Sequence, residues 1–147
     1  MAWLIWFVFS LGLSILAAGK KGWLQFWPVG LVALVVVYVL DSALVNLGAF
    51  SYRYGVPALG GLPLLYFLSV FPNGIILARF YPPRRRLRLP YVLVVAVLFL
   101  FMEWLMIITG NFRHLHWTLE YSLVLNAIGM ILVLWLGEWL GVIKPGE

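Results

Sequence analysis

The stretch EWLMIITGNFRHLHWTLE, residues 103–120, gathers Glu103, Arg113, His114, His116 and Glu120 within one short segment. A carboxylate beside a histidine can serve as general acid or base, and histidines with nearby carboxylates can ligate a metal. Two His at i and i+2 in a loop are a weak metal signature and the chain has no cysteine, so neither a metal nor any other cofactor is expected. Glu103 demands the most explanation. It sits in a run that otherwise reads as lipid-soluble, where a charge costs at least ~2.5 kcal/mol near the bilayer centre on insertion scales. Such residues usually face the bundle interior and have partners.

The elements that position these groups follow from composition. With 65% hydrophobic and 10% charged residues over 147 positions, the chain has more apolar surface than a small globule can hide. An all-α integral membrane bundle is predicted, a single domain over residues 1–147. Apolar runs place five transmembrane helices at about 2–18, 23–47, 57–80, 90–109 and 118–142. Helices are expected because lipid leaves unpaired backbone groups without water and the runs lack the alternation of barrel strands. Pro28 falls in the first turns of the second span, whereas Pro63 and Pro72 fall inside the third and predict a kink or local break. The prolines of YPPRRRLRLP stop one helix and start the next.

Orientation follows from Lys and Arg in the short loops. One side carries Lys20, Lys21, Arg79, Arg84, Arg85, Arg86, Arg88 and Lys144, the other only Arg53 and Arg113. This bias predicts an N-terminus outside and a cytoplasmic C-terminus in the cell membrane. Arg84, Arg85, Arg86 and Arg88 set topology first, with anionic lipid headgroups as an added partner. Nucleic acid is not expected as a partner, and the oligomeric state is left open.

Topology converts position into depth. Entering from the cytoplasm at Pro90, the fourth helix carries Glu103 about 20 Å along its axis, into the outer half of the hydrocarbon layer. Asp41 approaches the same level from the second helix. Glu120 lies in the first turn of the fifth, below the loop with Arg113, His114 and His116. Two roles compete for several of these residues. Thr118 is a natural N-cap and a first-turn Glu120 complements the helix dipole. Arg53 and Arg113 are candidates to neutralise Asp41 and Glu103 in structural ion pairs. Glu138, beside Trp139, is expected to pair with the Arg cluster at the interface.

Helix three supplies a polar wall. Tyr66, Ser69 and Asn73 recur at i, i+3 and i+7, one face that should look inward. Helix five offers Ser122, Asn126 and Gly129 on one face, with Glu120 about 160° away from Ser122 on an ideal helix.

From Glu103 to Ser122 the chain reads E-W-(x4)-T-G-x-F-(x4)-W-(x3)-Y-S. This resembles the signature of an uncharacterised family of small multi-pass membrane proteins common in endospore-forming bacteria. The resemblance extends back through GLPLLYFLSVFP and Asp41, and it implies the multi-pass fold without an activity. Members of that family often have an acid on helix three near the position of Phe67, which this chain lacks. A fainter resemblance is to the membrane lycopene cyclases, where an Asp on one helix and acids on another flank a long apolar substrate. Leu65 and Tyr66 stand where those acids would be needed, so cyclase-like chemistry would fall to Glu103.

Two functions are therefore expected to compete. The first is a bundle that binds a lipid, a small apolar ligand or a membrane partner at an outer-leaflet polar site with Glu103 and Asp41 as anchors. The second is an enzyme acting on a lipid or isoprenoid, with Glu103 as general acid or base assisted by His114 or His116.

Overall fold

A computed structural model describes residues 1–53 and 57–146. Among them lie four helices, α1 (Ala2–Asn46), α2 (Leu64–Arg79), α3 (Arg85–Ile108) and α4 (Leu119–Trp139). Four short strands accompany them: β1 (Phe50–Tyr52), β2 (Ala58–Leu59), β3 (Leu62–Pro63) and β4 (Phe112–His114). α1, α3 and α4 are each long and apolar enough to cross a membrane, with mean hydropathies of 2.3, 2.6 and 1.9. Their outer faces expose Val8, Val35, Val97, Phe101 and Trp135, which water would cover only at a large penalty.

α1 is two arms joined without a loop. Gly19 has φ 64 and ψ −177, a conformation no helix can contain and one that glycine reaches without steric cost. A straight helix would hold Trp3 about 57 Å from Asp41, at 1.5 Å for each of the intervening steps. Instead Trp3 and Asp41 line one cavity, and Ser10 accepts a hydrogen bond from Asn73 of α2. The chain therefore reverses at Gly19, and the arms 2–18 and 20–46 correspond to the first two predicted spans.

The 20–46 arm runs antiparallel to α2 at very short range. A Cβ on Gly30 would meet the Phe71 ring at 2.8 Å, and one on Gly74 would meet the Ala33 Cβ at 2.8 Å. Small residues permit this approach, and in lipid such close packing is what holds helices together. The same crossing seeds the main core of Val29, Ala33, Val36 and Ile75, to which α4 adds Val133 and Leu134. α3 is the least embedded helix: only Val92 and Ala96 are buried. Its inward face lines open space, described below.

Three expectations need correction. The span 57–80 breaks at Pro63, as its prolines predicted, but the residues ahead of the break form a hairpin and not a helix. Gly60 and Gly61 take φ of 59 and 83 and turn β2 back onto β3, and α2 begins only after Pro63, whose extended φ −57 and ψ 133 end the strand. The remaining 16 residues of α2 measure about 24 Å, less than a typical hydrocarbon core. The fourth helix starts at Arg85 rather than Pro90: Pro82 and Pro83 stop α2, and Pro90 is accommodated in the second turn of α3. The segment after α3 is not an irregular loop, because β4 pairs with β1 and satisfies its backbone groups across some sixty residues of sequence.

Candidate functional site

The β1–β4 ribbon decides which side chains of the two connecting segments face the bundle. Its register is antiparallel, with Phe50 opposite His114, Ser51 opposite Arg113 and Tyr52 opposite Phe112. Side chains alternate along a strand, so Phe50, Tyr52, Phe112 and His114 share one face and Ser51 and Arg113 the other. Phe50 and Phe112 are buried, with ring centroids 5.1 Å apart, and they seat the ribbon on Trp117 and Leu125. Arg113 and Arg53 are exposed on the opposite face. Neither neutralises Asp41 or Glu103: alternation turns both guanidiniums away from the acids.

Asp41 is held by phenols instead. Its Oδ2 accepts from Tyr66 Oη at 2.8 Å and from Tyr52 Oη at 3.2 Å. The two tyrosine rings lie 5.0 Å apart, and Trp3 packs edge-on against each at 5.5 Å. Trp3 is fixed in turn, because its Nε1 donates to the Arg53 carbonyl at 2.8 Å. Burial, followed by the negative charge of Asp41, pushes the Tyr52 phenol well above its ordinary range and keeps it a hydrogen-bond donor.

Glu103 has a separate set of partners. Its Oε1 accepts from Ser122 Oγ at 2.8 Å, while Trp117 Nε1 donates to that Ser122 oxygen at 2.8 Å, so the hydroxyl relays one donor into the carboxylate. His114 Nε2 lies 3.5 Å from the same Oε1, within range of a charge-dependent contact. Oε2 is buried and, among the described residues, has no hydrogen-bond partner. Ser122 belongs to the inward face of α4 as helical geometry requires, and Glu120 on the opposite face is exposed behind the Thr118 N-cap.

Asp41, Tyr66, Tyr52, Glu103 and Ser122 line a cavity of about 80 Å³. A second cavity, of about 490 Å³, runs between α3 and the other helices and takes in Ser69 and Asn73. Asp41, Tyr66, Phe99, Met102 and Asn126 belong to the walls of both, so the small chamber with the two acids adjoins one end of the long apolar groove. From Tyr91 to Met102 the groove follows α3 for about 17 Å.

The predicted residues thus divide. Glu103, Asp41 and Tyr66 come together at the small cavity, His114 touches Glu103, and Ser69 and Asn73 face the groove. Arg113 and Glu120 are exposed and line neither cavity, and exposed His116 lies 3.3 Å from the Gly48 carbonyl. Among the described residues no three His, Cys, Asp or Glu side chains converge. Tyr52, Trp3 and Trp117 were not anticipated. The alternation of Phe50 and Tyr52 was the one local signal for a strand there.

At the opposite end of the bundle the Arg cluster divides too. Arg88 forms an ion pair with Glu138, lies 4.4 Å over the Tyr81 ring and donates to the Pro82 and Lys144 carbonyls. Arg85 donates to the Gly146 carbonyl at 3.1 Å. The expected Glu138 pairing is present, and it removes Arg88 from the groups free to meet lipid headgroups. Arg84 and Arg86 are exposed.

The chain's likeness to other proteins adds nothing to this geometry: no protein-family model, no curated protein and no solved structure matches it.

Proposed function

We propose that this is a multi-pass protein of the cytoplasmic membrane that binds an amphiphilic lipid or isoprenoid, its tail in the groove and its polar head at the Asp41–Glu103 chamber. The single observation that carries the reading is the shared wall of the two cavities. A groove of this volume falls in the range of small-molecule sites, and its lining is mostly apolar with a few convergent polar groups at one end. The chain crosses the bilayer five times in this reading, with the two arms of α1 counted separately and α2 as a short crossing. The Lys and Arg bias sets the N-terminus outside and the C-terminus in the cytoplasm, which puts the chamber in the outer leaflet.

Mass spectrometry of co-purifying lipids tests this directly. Gly129 lines the groove, and an added Cβ there meets only Leu40 Cδ1, at 3.8 Å, so Gly129→Leu fills the groove without a backbone clash. The wild type should retain one amphiphile in excess over the bulk membrane, and Gly129→Leu should lose it. Identical lipid profiles for the two proteins would refute the reading.

A second reading, acid–base chemistry on the bound lipid or isoprenoid, is favoured by the Glu103–His114 contact. In that case Glu103→Gln should keep the co-purifying molecule and accumulate it unreacted.

A further inference from the structure

The nature of the head group follows from what the small chamber contains and what it lacks. Two carboxylates face it, Asp41 and Glu103, and among the described residues no Lys or Arg lines it. Most of the donors that surround it are committed within the protein, the Asn126 amide and the Trp6 indole of its lining excepted. The two phenols bond Asp41, Ser122 bonds Glu103, Trp117 bonds Ser122 and Trp3 bonds the Arg53 carbonyl. Of the acceptors, the buried Oε2 of Glu103 remains open among the described residues. Half of the lining side chains are aromatic, including Trp3, Trp6, Phe50, Phe99 and Phe112 beside the tyrosines.

We infer that the chamber is a cage for an organic ammonium head group, so that the ligand is a cationic or amine-bearing amphiphile. Ring faces carry negative potential and attract a desolvated cation most strongly when several surround it. Carboxylates in a low-dielectric site add an attraction that water does not screen. An anionic phosphate head would meet two acids and no cationic side chain, and a purely apolar end would leave Glu103 Oε2 without a donor. The groove leading from the cage accepts the tail, so this inference rests on the amphiphile reading and narrows it.

The test uses two surfactants with one tail. Purified protein in neutral maltoside micelles is titrated with dodecyltrimethylammonium and with dodecyldimethylamine oxide, whose head carries no net charge, and binding is followed calorimetrically. The cation should bind at least about tenfold more tightly. Glu103→Gln and Phe99→Leu should each reduce that advantage while Gly129→Leu abolishes binding of both surfactants. If circular dichroism shows that Glu103→Gln has lost its helices, Phe99→Leu and the wild-type comparison still decide. Equal binding of the two surfactants, or a cation advantage unchanged in both cage variants, overturns the cage and leaves the amphiphile reading in place. Failure of both surfactants to bind the wild type overturns both readings.

Discussion

The crossing of α1 and α2 at Gly30 and Gly74 forms one wall of the groove, and its tolerance to a single methyl group can be worked out from distances. A Cβ at Gly74 would lie 2.8 Å from Ala33 Cβ, 3.1 Å from Gly30 Cα and 3.2 Å from the Val29 carbonyl oxygen. Carbon atoms rest comfortably at about 3.5–4.0 Å, and two of these three neighbours are backbone atoms that cannot rotate aside. The helices must separate by several tenths of an ångström, at an overpacking cost of about 1–3 kcal/mol. Alanine returns about 1 kcal/mol through its better helix propensity, so Gly74→Ala should lose a net of up to about 2 kcal/mol. Gly12 supplies the control, since it lies in the first arm of α1 and an added Cβ there has nothing within 4 Å. Gly12→Ala should gain up to about 1 kcal/mol. Unfolding in mixed micelles, followed by far-ultraviolet circular dichroism, should separate the two variants by about 1–3 kcal/mol, the overpacking cost itself. A Gly74→Ala protein as stable as Gly12→Ala would refute the close crossing and with it the wall of the groove.

Ser122→Ala should destabilise by about 1–3 kcal/mol, because it strands Trp117 Nε1 and leaves Glu103 Oε1 with only the 3.5 Å His114 contact; a shift in Trp117 near-ultraviolet dichroism should accompany the loss in the same unfolding assay. The Tyr52 phenol titrates well above 10 in the folded state and near 10 when unfolded. The unfolded chain therefore loses that proton first, and the stability linked to Tyr52 is complete below pH 10 and declines as pH rises beyond it. Absorbance at 295 nm should accordingly show Tyr52 ionising only with unfolding, a signal absent from Tyr52→Phe; ionisation near pH 10 with the fold intact would contradict the burial. A reporter fused after the last residue should be active only in the cytoplasm, and activity outside the cell would reverse the depth assigned to the chamber.

Local chemistry alone determined much of this protein. The apolar content pointed the chain to lipid and to helices, and the 100° step of the helix set Ser122 and Glu120 about 160° apart, so that only one of them could face the interior. The same periodicity turned Tyr66, Ser69 and Asn73 to the interior, and the charge beside Trp139 anticipated the Arg88–Glu138 pair. Tertiary structure decided which groups meet. Reversal at Gly19 carries Trp3 from one end of α1 to Tyr52 and Tyr66, and the β1–β4 register turns His114 toward Glu103 while sending Arg113 to the surface. Periodicity within an element specifies the face a residue occupies but contains no information about what will stand opposite it. Ribbon pairing across sixty residues and helix approach at Gly30 and Gly74 are satisfied only when distant backbones come together. For that reason the acids and the polar face of Tyr66 were legible in the sequence, whereas Tyr52, Trp117 and the pairing of Ser122 with Glu103 were not.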